Sequence, residues 1–160
     1  MPPVIGRRTR YVESVPNSED DTRWMARAVE LAEQCPPSET AFSVGAVIVV
    51  DGRAVGEGYS RAEQPQDHAE EVALRRAGGP VEGATVYSTM EPCGARASRP
   101  APCAQLLADA KIARVVYALA EPVRFIDAPD GLAVLRDAGI DVDAMPQFAA
   151  AAERPNSHLR

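Results

Sequence analysis

Long apolar runs are missing from this chain of 160 residues. Those it has are brief, such as Ala46–Val50 and Val115–Tyr117, whereas a helix crossing a bilayer needs about 20 consecutive apolar residues. The opening Met1-Pro2-Pro3-Val4-Ile5-Gly6 lacks the apolar region of a secretory signal, so the expectation is a cytoplasmic protein without a membrane partner. A surplus of positive charge is missing too: 17 Lys and Arg face 23 Asp and Glu, a net charge of −6. Gripping phosphate backbones needs the opposite balance, which argues against nucleic acid as the partner. The basic clusters Arg7-Arg8-Thr9-Arg10 and Arg75-Arg76 are too local to reverse that argument. Thiols and imidazoles are scarce, with three cysteines (Cys35, Cys93, Cys103) and two histidines. An odd, small number of cysteines in a cytosolic-looking chain points to thiol or metal chemistry, not a disulfide framework. Any metal site must draw on that short set.

What is present reads as one packed domain. The length suits a single hydrophobic core, and 46% apolar with 25% charged residues is ordinary globular composition. Residues 1–17 mix Pro, Arg and isolated apolar residues without a period, as expected of a flexible N-terminal arm. Ser18 offers an N-cap ahead of Glu19-Asp20-Asp21, and Trp24, Ala28, Leu31, Ala32 and Cys35 follow at helical spacing until Pro36-Pro37. Phe42–Val50 reads as a buried strand, Asp51-Gly52 as a hairpin turn and Ala54–Tyr59 as the returning strand. A helix from His68 ends at Gly78-Gly79-Pro80. Strands are expected at Ala84–Met90, Arg114–Leu119 and, briefly, Gly139–Val142. Helices are expected at Ala104–Ala110, Leu132–Ala138 and Pro146–Glu153, and the tail beyond shows no pattern. Strands alternating with helices after an opening hairpin define an α/β class with a mixed sheet. The expected organisation is a domain over 18–145, with a C-terminal helix and tail over 146–160.

Four residues carry chemistry together. His68 and Glu70 lie two apart at the start of a helix. Cys93 follows Pro92 directly after a strand, and Cys103 follows Pro102 at the start of the next helix. One imidazole and two thiolates suit zinc, and three protein ligands leave the fourth tetrahedral position open, as catalytic sites require. Helix N-termini favour thiolates, because the free N–H groups and the dipole stabilise negative charge there. Two thiolates also offset the charge of Zn²⁺, so a nearby carboxylate is needed to take a proton from water. Glu70 fits that role. Each part alone is weak, since lone histidines and free cysteines are common packing residues. Their joint placement at strand and helix junctions makes the pattern specific.

His68-Ala69-Glu70 with Glu91-Pro92-Cys93 resembles the cytidine deaminase-like superfamily, whose usual second element is Pro-Cys-x-x-Cys. Nine residues separate the cysteines here, Gly94 to Pro102. That long Arg- and Pro-rich insertion is similar to the deaminase half of the bifunctional riboflavin-biosynthesis deaminase–reductase. Trp24-Met25, Val44–Val49, Gly56-Glu57-Gly58-Tyr59, Gly83–Tyr87 and Leu135–Val142 extend the resemblance over most of the chain. It implies a three-layer α/β/α sandwich with a five-stranded mixed sheet. It also implies Zn²⁺ held by His68, Cys93 and Cys103, with Glu70 relaying protons, and hydrolytic loss of an exocyclic amine from a pyrimidine-type ring. The partner implied is an aminopyrimidine base, nucleoside or nucleotide, and a homodimer is expected.

The substrate positions depart from that family. The segment before Val-Gly usually carries Asn-Pro, the Asn touching the substrate's ribose, whereas here the matching positions are Ala41-Phe42. The insertion lacks the family's histidines. The chain is therefore expected to be a standalone member with a divergent substrate. Candidate substrate contacts are Phe42, Ala69, Glu91, Arg96 and Arg99. Phe42 and Trp24 are candidate walls for the ring, although Trp24 fits the helix core better. The two arginines either meet a phosphate or are solvated loop charges. Competing readings are a cytosine, cytidine or cytidine-nucleotide deaminase, or a secondary-metabolism aminopyrimidine deaminase. Outside that class stand a closed structural zinc module, with Cys35 or His158 as fourth ligand, and a pseudo-enzyme.

Overall fold

The computed structural model describes residues 18–96, 99–121 and 130–159. The expected arm at 1–17, with its Arg7–Arg10 cluster, lies outside them.

Helix α1 (Glu19–Ala32) opens as its cap signal requires, Ser18 Oγ accepting from Asp21 N at 3.1 Å. Strand β1 (Gly45–Val50) turns back into β2 (Arg53–Tyr59). The two turn residues, Asp51 and Gly52, have φ of 50° and 75°, the positive pair that a tight hairpin needs. Helix α2 (Ala69–Ala77) follows, then β3 (Thr85–Met90), α3 (Cys103–Asp109), β4 (Arg114–Leu119), α4 (Gly131–Asp137) and β5 (Asp141–Ala144). The chain closes with a 3₁₀ turn at Pro146–Phe148, α5 (Ala149–Glu153) and a further 3₁₀ segment, Arg154–Leu159.

The sheet runs β2-β1-β3-β4-β5, antiparallel from β2 through β3 and parallel from β3 to β5. Strand alternation divides its core in two. Ala46, Ile48, Val86 and Val115 face Ala69, Ala73, Ala104, Leu107 and Leu135 of α2, α3 and α4. Val47, Val49, Tyr87 and Val116 face Trp24, Met25 and Ala28 of α1 and Ala152 of α5. Both faces are buried, which explains the near-continuous apolar run of β1. The three-layer α/β/α sandwich with a mixed five-stranded sheet is thus the architecture observed. Among the described residues no helix is long and apolar enough to cross a membrane.

Three strand glycines, Gly45, Gly56 and Gly58, let the helices lie directly on the sheet. A Cβ on Gly45 would collide with the Ala28 carbonyl of α1, and one on Gly58 with the Ala69 carbonyl of α2. The second contact fixes the first turn of α2, where His68 and Glu70 stand.

The strand expected from Phe42 enters the ladder only at Gly45. Side chains take the backbone groups before it. Val44 N donates to Ser60 Oγ at 2.9 Å, Ser43 N to Asn156 Oδ1, and Arg61 reaches the Phe42 carbonyl at 3.0 Å. Those partners take the place of ladder bonds for the Phe42 carbonyl and the Ser43 and Val44 N–H groups.

Candidate active site

Three junctions converge at one end of the sheet. His68 is the residue before α2, its backbone N donating to Glu71 Oε1 at 2.9 Å. Cys93 lies in the loop leaving β3, and Cys103 is the first residue of α3. His68 Nδ1 is 3.6 Å from Cys93 Sγ and 3.4 Å from Cys103 Sγ. The three ligand atoms lie within 4.8 Å of one another. Zinc bonds of about 2.0–2.3 Å to nitrogen and sulfur in a tetrahedron require separations of this size.

The electrostatics ask for a cation. Cys93 Sγ accepts from Cys103 N at 3.2 Å. Hydrogen bonding by Cys103, opposed by burial and assisted by His68, holds the Cys93 thiol down to about 4. Sharing with Cys93, together with its own burial, pushes Cys103 well up. Without a cation only one of the two sulfurs is readily charged. A dication between them removes that conflict, so the donor set fits zinc. Among the described residues no fourth His, Cys, Asp or Glu lies within 4.8 Å of all three. Cys35 Sγ instead faces the Val44 carbonyl at 3.4 Å, and His158 Nε2 the Ser38 carbonyl at 2.7 Å.

Glu70 stands in the first turn of α2, 4% exposed. Burial pushes its carboxyl above the usual carboxylate range, against the pull of His68. Its Oε1 lies 2.9 Å from Ser88 Oγ, which is 2.7 Å from the Met90 carbonyl oxygen. A hydroxyl carries one hydrogen, and a carbonyl only accepts. When Ser88 donates to Met90 it presents a lone pair to a protonated Glu70. When Glu70 is ionised, the hydrogen turns toward the carboxylate. Ser88 therefore accommodates both states of the acid.

His68, Glu70 and Cys93 open onto a cavity of about 480 Å³. Ala41, Phe42, Val44, Pro65 and Met90 supply apolar wall, and Arg61, Asp67, Glu91 and Glu121 polar wall. The loop arginines sit elsewhere. Arg96 Nη2 donates to Glu71 Oε1 at 3.1 Å and to the Gln66 carbonyl at 2.7 Å. Arg99 Nη2 donates to Gln64 Oε1 at 2.8 Å and pairs with Asp67 at 3.3 Å. Trp24 lies in the core on the opposite face of the sheet.

Sequence reasoning did not single out Ser88, Arg61 or Asn156. Ser88 had only a weak signal: a small hydroxyl residue two before Met90, and so on the same face of the strand. Arg61 and Asn156 had none. Arg61 bonds Pro36 O at 2.7 Å, Phe42 O at 3.0 Å and Ser43 Oγ at 2.7 Å, so it pins the cavity wall through partners 18 to 25 residues away.

A three-layer domain thus gathers one His and two Cys as a candidate metal site, with His68, Cys93 and the buried Glu70 facing a cavity. The family model for the cytidine and deoxycytidylate deaminase zinc-binding region matches residues 18–119, and the chain belongs to that family. The diaminohydroxyphosphoribosylamino-pyrimidine deaminase of Schizosaccharomyces pombe is 41% identical over 124 residues, covering 74% of this chain and 30% of that protein. The RibD structure of Acinetobacter baumannii, form 2, aligns with a TM-score of 0.73 at 36% identity, covering 88% of this chain and 39% of that one. The Aspergillus oryzae Rib2 deaminase in complex with DARIPP, a C-terminal deletion mutant, aligns at 0.68 with 26% identity, covering 86% and 94%. The chain spans about a third of the length of the curated relatives it matches.

Proposed function

We propose that this chain is a zinc-dependent hydrolytic deaminase that removes an exocyclic amine from an aminopyrimidine of the riboflavin-forming kind. The observation that carries the reading is the open metal site. Three ligands converge, two of them line a cavity, and Glu70 lines the same cavity beside them. A closed structural centre would need a fourth protein ligand and would give Glu70 no task.

Bound by His68, Cys93 and Cys103, zinc supplies Lewis-acid activation of a water molecule. The chain does the rest. Phe42, Val44 and Met90 offer apolar surface to the ring. Glu70, a stronger base than an exposed carboxylate because it is buried, takes a proton from the attacking water. It passes that proton to the ring nitrogen as oxygen bonds to the amine-bearing carbon. A second proton from the added oxygen goes through Glu70 to the amine, which leaves as ammonia while the carbon becomes a carbonyl. Each proton lost by water is thereby returned to ring or amine.

The identity of 41% to the S. pombe deaminase supports a substrate of that enzyme's type. A second reading, a smaller aminopyrimidine such as cytosine or a cytidine, rests on one observation. Ala41 and Phe42 line the cavity at the positions where the resembled family carries Asn-Pro, so a methyl stands where that family's amide meets ribose. A homodimer belongs to the proposal as well, supported by the family resemblance and tested by sedimentation. So does a reducing, cytoplasmic setting, supported by the three free thiols, two of them the proposed ligands.

The deciding experiment is ammonia release by zinc-loaded protein from a panel of cytosine, cytidine, its nucleotides and the riboflavin-pathway diaminopyrimidine phosphate. Turnover that disappears in Glu70→Gln establishes the deaminase, and the preferred substrate selects between the two readings. No turnover from any of them, with zinc bound, refutes both.

A further inference from the structure

The segment between the two cysteines folds one arginine inward. The Arg96 side chain is 3% exposed although it belongs to a loop. A buried guanidinium must be paired, and Glu71 Oε1 at 3.1 Å and the Gln66 carbonyl at 2.7 Å hold its Nη2. Its Nη1 then points at Cys103 Sγ, 3.9 Å away. Glu71 Oε1 also accepts from the backbone N of His68. A continuous chain of contacts therefore runs from His68 through Glu71 and Arg96 to Cys103. It ties a ligand on α2 to a ligand on α3 without passing through the metal position.

We propose that Arg96 is a positioning residue for the metal centre, its guanidinium drawing charge from the Cys103 thiolate while Glu71 locks it to the His68 turn. Two thiolates cancel the charge of a bound dication and blunt its pull on water. A charge-assisted N–H···S contact offsets part of that by withdrawing electron density from one sulfur. The planar guanidinium serves Glu71, Gln66 and sulfur at once, which an ammonium at the end of a lysine would not match. Arg99 is a natural control. It comes from the same loop and pairs with Asp67 at 3.3 Å and Glu71 at 3.8 Å. Among the described residues its partners are Gln64, Asp67 and Glu71, and neither sulfur.

The inference rests on the metal site and not on the substrate, so its test needs no turnover. The full chain is loaded with cobalt(II), whose thiolate-to-metal charge-transfer bands report the sulfur electrons, and zinc affinity is measured by chelator competition. Arg96→Met is expected to move the bands to longer wavelength and to weaken zinc about 10- to 100-fold, the range for lost partners of metal ligands. Arg99→Met is expected to leave the bands in place. Bands at the wild-type wavelength in Arg96→Met, or equal shifts in both variants, overturn the proposal. If Arg96→Met does not fold, Arg96→Lys is read by the same criterion. Wild-type protein that shows no charge-transfer bands would instead refute the metal site itself.

Discussion

Asn156 and Ser43, 113 residues apart, are joined by a two-way pair of hydrogen bonds. Ser43 N donates to Asn156 Oδ1 at 2.6 Å, and Asn156 Nδ2 donates to Ser43 O at 3.0 Å. The side-chain amide thereby acts as a strand neighbour for one residue beyond the end of the sheet. Asn156 is 1% exposed and also donates to the Ala152 carbonyl at 3.2 Å. Replacing it with Ala removes its bonds to three backbone groups, Ser43 N, Ser43 O and Ala152 O, for a loss of about 2 kcal/mol. Because Ser43 adjoins Phe42, KM is expected to rise several-fold while kcat stays within about twofold, since Glu70 is untouched. Urea unfolding and steady-state kinetics check this. A fall in kcat with unchanged KM would contradict it.

At the other end of the sheet, Asp21 gives a pH signature. Its carboxylate accepts from Tyr87 at 2.6 Å and from Arg114 at 2.8 and 2.9 Å. Burial alone would raise its pKa, but the bonds from Arg114 and Tyr87 outweigh burial and hold it below the ordinary 3.8. A depressed pKa contributes stability above about pH 4 that disappears as pH falls through the folded value. Asp21→Ala should therefore cost about 2 kcal/mol at neutral pH. The gap from wild type should narrow below pH 4. Thermal melts from pH 7 to pH 3 test it, and a gap that is constant or widens on acidification refutes it.

Ser88 offers a separation of roles. Ser88→Ala removes the hydroxyl 2.9 Å from Glu70 Oε1 but leaves the apolar cavity wall. About tenfold lower kcat with near-constant KM is expected, in line with loss of one positioned hydrogen bond of ~1.4 kcal/mol in the transition state. Equal changes in KM alone would assign Ser88 to binding.

Metal removal links chemistry to stability. The ligands come from the edge of α2, the loop after β3 and the start of α3, which meet only in the folded chain. Binding to the folded state alone stabilises by about 4 kcal/mol at a thousandfold excess over Kd. Chelation should lower Tm accordingly, and Glu70→Gln, which keeps all three ligands, should show the same drop. A Tm indifferent to zinc would remove the metal site.

Much of this was legible beforehand because periodicity and punctuation are local. Ser18 caps α1, Asp51-Gly52 turns the hairpin, and β4 runs Arg114–Leu119 as its β-branched pattern indicates. His68, Glu70, Cys93 and Cys103 were conspicuous because few residue types bind zinc, and the structure brings all four together. The cavity wall was opaque. Phe42–Val44 carries strand-like residues yet leaves the sheet, because Asn156, Ser60 and Arg61 supply partners from afar. Arg96, in an Ala- and Pro-rich loop, read as a phosphate contact or a solvated charge, and nothing nearby announced Glu71 as its counter-ion. The tail beyond Glu153 shows no pattern because, among its described residues, the one buried side chain is the Asn156 amide.

The cavity's floor and its wall are held in place by different parts of the chain. The floor sits within 18–119, the stretch the deaminase family shares, whereas the wall is held partly by Asn156, outside it. Substitutions in the tail or in 36–44 can reshape what enters without disturbing zinc, Glu70 or the Gly58 contact beneath them. Such an arrangement separates the residues that would carry the proposed chemistry from those that shape what reaches them.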